Sequence, residues 1–336
     1  MIGPDLYQLK PNCYKKGLYE SFYYRGNLSD GNKAFWLKHN LLMYAGDTNV
    51  RIECTVIVFN NELNTSKTYK HMEMINTVEY SERIIKEGES WLDLNYQFKN
   101  GSHMLIKQES LKGELILPGE NSNVSWDLSL MPSQKSYYHF SNDWFYHGFF
   151  PKKKILTKDI HLGFDGNIST PEIEIEGKLI GMNGHNWGKE HAYKYSYGNC
   201  NQFKENQDAY FDGFSAKISL VKGIIKSPYL SGSSLKVDDK WYHFNNVLTS
   251  YKHKVTELLE RKWRVTFLNK DHLLEVLIDG DHAPWAHLNY GHPSGKTSVV
   301  NNTKFATGML VLKHRDSGKV ISVLKSDFFE LESLIS

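Results

Sequence analysis

The densest run of chemically capable residues is Gly181-Met182-Asn183-Gly184-His185-Asn186-Trp187-Gly188-Lys189-Glu190-His191. It is followed by Tyr193, Tyr195 and Tyr197, then by Asn199-Cys200-Asn201-Gln202-Phe203. Residues two apart on a strand share a face, so His185 projects with Trp187, and the three tyrosines project together. Such a face could present an imidazole, the amides of Asn186 and Asn201 and a π surface to a cavity. The same spacing suits a packing role, with Trp187 as a core anchor whose ring N–H is capped by an asparagine, and glycines serving tight turns. Spacing leaves both readings open.

Further on, Tyr210-Phe211-Asp212-Gly213-Phe214 sets a carboxyl among aromatic residues. An apolar wall raises a carboxyl's pKa and keeps it protonated, which protonation of an isolated alkene requires. Asp212 is therefore the candidate acid. Trp187, Tyr193 and Tyr210 could shield and stabilise the resulting carbocation, and His185 could position or deprotonate the water that traps it. Tyr195, Phe214 and Trp285 are the candidates to line the substrate pocket, with Trp285 and Tyr290 either closing its mouth or belonging to the core. Asp212-Gly213 is equally a hairpin dipeptide, so a turn role stays open as well.

Other chemistries find no support. His139, His147 and His161 lack ligand-type spacing with carboxylates, no His-Glu-x-x-His occurs, and such histidines are by default solvated or core residues. There is no Gly-x-Ser-x-Gly elbow, phosphate loop or dinucleotide fingerprint. Asp279-Gly280-Asp281-His282 lacks the remaining ligands of a calcium loop and reads as a turn. Nucleotide-driven chemistry and serine hydrolysis are not expected.

Composition sets further bounds. The 40 basic and 38 acidic side chains are scattered, with Lys152-Lys153-Lys154 the only tight run, which excludes a nucleic-acid footprint. Three cysteines, Cys13, Cys54 and Cys200, cannot all pair, which points to a reducing compartment. The start, Met1-Ile2-Gly3-Pro4-Asp5, has no leader pattern, and no apolar run approaches the roughly 18 residues of a spanning helix. A cytoplasmic location without stable membrane insertion is expected.

The elements that must position these residues read as strands. Phe22–Leu28 and Ala34–Leu41 flank Ser29-Asp30-Gly31-Asn32, and Trp91–Phe98 and His103–Gln108 flank Lys99-Asn100-Gly101-Ser102, both hairpin signals. Alternation recurs through Trp126–Leu130, Glu172–Leu179, Ala209–Ser219, Trp263–Leu268, Leu273–Ile278 and Gly308–Lys313. Helical periodicity is confined to Tyr80–Lys86 and Val255–Leu259, the second of which could continue a strand. With 20 Tyr, 17 Phe and 8 Trp, the expected fold is mostly β, in antiparallel barrels or sandwiches, with less than about a fifth of residues helical. The 336 residues suit two domains, 1–179 and 180–336, the second carrying His-Asn-Trp-Gly. No fixed-period repeat appears.

Gly-x-x-Gly-His-Asn-Trp-Gly, followed by Tyr-x-Tyr-Gly-Asn-Cys-Asn-Gln-Phe, resembles the central signature of the lipocalin-like carotenoid hydratase (hydroxyneurosporene synthase) and AttH-type family. It is also similar to the tocopherol cyclases and, more distantly, to lipocalin-like Diels–Alderases. Glu20-Ser21-Phe22-Tyr23-Tyr24 resembles the family's opening strand, and Trp285–Leu312 its closing segment. The resemblance implies two tandem lipocalin-like domains with a ligand cavity, no metal and no organic cofactor. It ties His185, Trp187 and the Tyr-x-Asp of Tyr210 and Asp212 to alkene hydration. Asn183-Gly184 departs from the hydratases' usual acidic or aromatic residue at that point, so the substrate is not carried over.

The expected activity is cofactor-independent hydration, cyclisation or isomerisation of a hydrophobic terpenoid, polyene or polyketide. The alternatives are a pericyclase that folds a polyketide, and a carrier of a lipid or pigment without chemistry. Nothing in the sequence fixes the oligomeric state.

Overall fold

The computed structural model describes residues 6–85, 90–119, 123–140, 142–147, 151–221 and 225–335. The expectations for Met1–Asp5 and for Lys86 lie outside them. Strand accounts for 62% of the chain and helix for 7%, which meets the expectation of a mostly antiparallel β protein.

Two compact units form. The first takes the chain up to Tyr137, His147–His191 and Tyr290–Ser298, and the second takes Tyr138–Tyr146, Ala192–Asn289 and Val299–Ser336. The first holds β1 (Leu18–Leu28), β2 (Lys33–Met43), β3 (Asn49–Asn60), β4 (Thr65–Asn76), β5 (Leu94–Gln97), β6 (His103–Lys107), β7 (Ser110–Leu115) and β8 (Val124–Met131). The two-residue β9 (Tyr137–Tyr138) and the long β10 (Lys153–Ser169) and β11 (Glu174–Gly188) complete its sheet. The order is β4-β3-β2-β1-β11-β10-β8-β7-β6-β5, with β9 on β10, so β11 returns across the sequence to pair with β1.

The second unit repeats this plan. Its strands are β12 (Lys194–Cys200), β13 (Tyr210–Lys217), β14 (Ser219–Val221), β15 (Ile225–Lys226), β16 (Leu230–Val237) and β17 (Lys240–His243), then β18 (Lys254–Leu258), β19 (Lys262–Leu268), β20 (His272–Asp279), β21 (Ala286–Gly291), β22 (Thr297–His314) and β23 (Val320–Leu334). The order is β17-β16-β13-β12-β23-β22-β20-β19-β18, with β14 and β15 paired apart, and the last strand, β23, again returns to the first, β12. Each sheet is antiparallel and curls over its own core. Tyr7, Phe22, Trp91 and Phe164 belong to the first core, and Phe211, Trp263, Phe267 and Phe329 to the second.

Both expected hairpins form at β1–β2 and β5–β6, with Gly31 at φ 78° and Gly101 at φ 91° supplying the left-handed conformation such turns demand. Tyr80 ends the short helix Thr77–Tyr80, and a π turn follows it, while Val255–Leu258 lies in β18. The boundary expected at 179/180 falls within β11, which runs unbroken along β1. The units part instead after His191, so His-Asn-Trp-Gly belongs to the first. The reason is register: ten consecutive residues of β11, Leu179–Gly188, oppose Leu28–Tyr19 of β1, and Gly181 permits the approach because a Cβ there would sit 1.7 Å from the Arg25 carbonyl oxygen.

The strands differ in how they are buried. β8 alternates buried and less buried residues, as a strand with one face in the core should, whereas β1 is buried at ten of its eleven positions and β12 at six of seven. Polar side chains on the doubly buried strands are therefore held away from water. These strands carry the candidate sites.

Candidate functional site

In the first unit, cross-strand register builds a buried polar and aromatic row. Phe22 of β1 lies opposite His39 of β2 and His185 of β11, while Glu20 lies opposite Trp187 and Tyr24 opposite Asn183. All face the core side, because Phe22, Leu37 and Leu41 there belong to the core. The rings form a continuous stack: His39 on Phe22 at 5.7 Å, Phe22 on His185 at 4.5 Å and His185 on Trp187 at 4.5 Å, with Trp91 against Phe22 at 5.0 Å. His185 Nε2 meets Glu20 Oε1 at 2.8 Å, and both side chains are fully buried. The Glu20 carboxylate also accepts the main-chain N–H groups of Gln8 and Leu9, each at 2.7 Å. His39 is fully buried, and neither ring nitrogen has a hydrogen-bond partner of ordinary geometry among the described residues. Burial holds its imidazole down at about 4, and the neighbouring Glu53 opposes this only in part.

The second unit gathers a larger buried polar set on the face of its sheet opposite the core. Asp212 stands mid-strand on β13, fully buried, so the hairpin reading of Asp212-Gly213 falls away. One carboxylate oxygen meets His139 Nε2 at 2.7 Å. The other accepts from Tyr197 at 2.8 Å, Tyr210 at 2.9 Å and Asn199 at 3.0 Å. The surroundings differ from the apolar wall expected of Phe211 and Phe214. Strand alternation sends Phe211 into the core on the other face, and Phe214 is only half-buried. Next to this group, Asn199 pairs in register with Glu330 of β23, and Tyr197 with Glu332. Buried Lys304 Nζ bridges Glu330 at 2.6 Å and Asn302 at 2.8 Å, and Tyr195 donates to Glu332 at 2.6 Å. Three carboxylates, an ammonium and a histidine thus share one buried surface across β13, β12, β23 and β22.

The residues singled out from the sequence fall as follows. His185 and Trp187 are brought together in the first unit, while Asp212, Tyr210 and Tyr195 lie in the second. Asn186 is half-buried on the opposite face of β11 from His185, Asn201 is buried, and Tyr193 is exposed with Lys226 over its ring at 3.6 Å. Trp285 packs at the edge of the second core and donates from Nε1 to the Gly280 carbonyl at 2.7 Å, so it pins a turn. Tyr290 belongs to the first unit and accepts from Lys38 Nζ at 2.7 Å.

Sequence reading gave no chemical role to Glu20, His39, Asn199 or the Lys304 group. It set His139 aside as a solvated or core histidine, although His139 is the partner of Asp212 from 73 positions away. Glu20-x-Phe22, an acid two residues from an aromatic in a strand-like run, was the one local signal for the first of these.

Among described residues, no group of three His, Cys, Asp or Glu is placed to hold a metal ion, and no helix is long and apolar enough to cross a membrane. No family model matches the chain, and no curated protein matches it in sequence. Among solved structures, the chain is similar to a Nitrosomonas europaea protein provisionally described as an AttH, with 10% identity and a TM-score of 0.53 over 99% of this chain and 98% of that one. That likeness defines an AttH-type, lipocalin-like fold extending over both units. The transferrin binding protein B of Neisseria meningitidis shows 8% identity and a TM-score of 0.13 over 89% of this chain and 65% of that one, too low to mark a shared fold.

Proposed function

We propose that this protein is a cofactor-independent enzyme that moves a proton on a hydrophobic polyene, terpenoid or polyketide. Hydration, cyclisation or isomerisation would follow, with Asp212 and His139 as the proton-handling pair. The observation that carries this reading is the fully buried Asp212 carboxyl held by His139, Tyr197, Tyr210 and Asn199. A carboxylate bonded by several donors is stabilised in its charged form. Delivery of a proton from the pair to an alkene carbon would leave a negative charge on Asp212 where fixed donors already point, and such preorganisation is the largest contribution proteins commonly make to a charged transition state. In hydration, water then adds to the cation, and the proton it releases returns to the pair.

The test is turnover of a panel of polyenes and terpenoids, followed by mass spectrometry for gain of water or isomerisation. Asp212→Asn is expected to reduce turnover by roughly 10²–10⁴-fold while ligand binding survives. Full turnover by Asp212→Asn would reject the acid role and favour a pericyclase. Binding without turnover by the native protein would make it a carrier.

A further inference from the structure

The Asp212 carboxyl is closed off from any substrate. Asp212 is 0% exposed and His139 2%, yet a general acid must come within about 3 Å of the atom it protonates. A covering element therefore has to move before the carboxyl can act. His139 comes from a strap, Tyr138–Tyr146, that counts with the second unit although Tyr137 and His147 on either side count with the first. Its described residues are 138–140 and 142–146.

The strap makes hydrogen bonds within itself. Phe145 N–H donates to the Asn142 carbonyl at 3.1 Å and Tyr146 N–H to that of Asp143 at 2.9 Å. The Asn142 side chain accepts Trp144 N–H at 2.9 Å, and the Tyr146 hydroxyl accepts Phe140 N–H at 3.3 Å. Its rings also pack on one another, Tyr146 on Phe140 at 5.3 Å and on Tyr138 at 5.8 Å, and Phe145 on Trp144 at 5.2 Å. None of Tyr138, Phe140, Trp144, Phe145 and Tyr146 belongs to the second core, and Tyr138 and Trp144 stand 44% and 55% exposed. Segments with few core contacts open at a lower free energy than the strands around them. The chain ahead of the strap is fixed: the Ser136 hydroxyl donates to the Lys158 carbonyl at 2.7 Å, Ile160 N–H to that of Lys135 at 2.9 Å, and Gln134 N–H to Asp159 at 3.0 Å.

Lifting the strap keeps its internal bonds and breaks the one between His139 and Asp212. That bond is made to Oδ1, whereas Tyr197 and Asn199 of β12 and Tyr210 of β13 hold Oδ2. The carboxyl then stays fixed on the sheet with Oδ1 uncovered. We propose that Tyr138–Tyr146 is a lid over Asp212, latched by the His139–Asp212 hydrogen bond. Its opening admits substrate to Oδ1, and its closure returns His139 to the carboxyl and shuts out water. The proposal rests on Asp212 being the acid, but its test requires no turnover, so loss of the lid and loss of the acid role are read separately.

The experiment is carboxyl labelling of the full chain with a carbodiimide and glycine ethyl ester, read residue by residue by mass spectrometry, with amide hydrogen exchange followed in parallel. Glu20, 1% exposed in the first unit, is the internal reference. Asp212 is no more exposed than Glu20 in the closed structure, yet it is expected to label at least about tenfold faster, because the strap opens without unfolding of the sheet. His139→Leu is expected to raise Asp212 labelling about tenfold, the size of one hydrogen bond to a charged group, with exchange in β12 and β13 unchanged. His139→Gln, which can place an N–H near the Nε2 position, should return labelling close to the native rate. Tyr146→Phe removes the acceptor of Phe140 N–H while nearly keeping size, and is expected to raise labelling severalfold; it serves where His139→Leu does not fold by circular dichroism. Asp212 labelling no faster than that of Glu20, unchanged labelling in a folded variant, or a matching rise in β13 exchange would overturn the lid.

Discussion

Replacing Glu20 by glutamine isolates what the buried Glu20–His185 hydrogen bond of the first unit does, because size is nearly kept while one acceptor becomes a donor. Glu20 Oε1 receives Gln8 N–H at 2.7 Å and His185 Nε2 at 2.8 Å, and Oε2 receives Leu9 N–H at 2.7 Å. A glutamine amide has a single oxygen. Placed at the Oε1 position, it leaves Leu9 N–H facing an NH2 group. Placed at the Oε2 position, it leaves Gln8 N–H in that state, with His185 able to change tautomer and accept. Either way one main-chain donor is stranded, at a cost of about 1–3 kcal/mol, and the surviving bonds fall from charge-assisted to neutral strength. Burying a neutral amide in place of a carboxylate offsets part of this, so about 3 kcal/mol of lost stability is expected. At roughly 2–4 °C per kcal/mol for a unit of this size, the unfolding midpoint of the first unit should fall by about 6–12 °C. Urea and thermal unfolding followed by tryptophan fluorescence read this directly, since Trp91 and Trp187 adjoin the pair. Faster amide exchange at Gln8 and Leu9 should accompany it. A loss below about 1 kcal/mol would refute the view that Glu20 ties the entering chain and His185 to β1.

Two other expectations concern stability. The folded-state imidazole of His39 is held at about 4, below its ordinary 6.5, so its contribution is present above pH 6.5 and is lost as pH falls toward 4. Between pH 7 and 5 the loss should be about 2 kcal/mol by linkage, and His39→Phe should flatten the acid limb; an unchanged limb would show that the imidazole is protonated in place. Lys304→Met strands the buried Glu330 carboxylate and should cost the second unit about 3–5 kcal/mol, whereas Lys304→Met combined with Glu330→Leu should recover most of it. Equal losses in the single and double variants, measured by urea unfolding, would refute the pairing argument.

The fold was legible wherever local chemistry speaks for itself. Asp30-Gly31 and Asn100-Gly101 demand turns, and the alternation of Trp126–Leu130 survives in β8 because one face of that strand is covered and the other is not. The unit boundary expected near Lys178–Gly181 falls where two backbones must touch, at Gly181, so the strand runs on through it. The repeated strand order of the two units left no trace as a sequence repeat, since topology constrains hydrophobic placement and not residue identity.

The candidate sites divide along the same line. Side-chain period alone placed His185 with Trp187, because residues two apart on a strand share a face whatever the fold, and the Tyr-x-Asp of the family resemblance joined Tyr210 to Asp212. Which partners those faces meet depended on contacts that join positions far apart in sequence, Glu20 to His185 and His139 to Asp212, and a one-residue slip of β11 along β1 would have turned His185 and Trp187 to the other face. Sequence fixed the residues that could do chemistry. Only the closing of β11 on β1 and of β23 on β12 decided which of them are buried together, and burial is what gives an ion pair or a shared proton its strength.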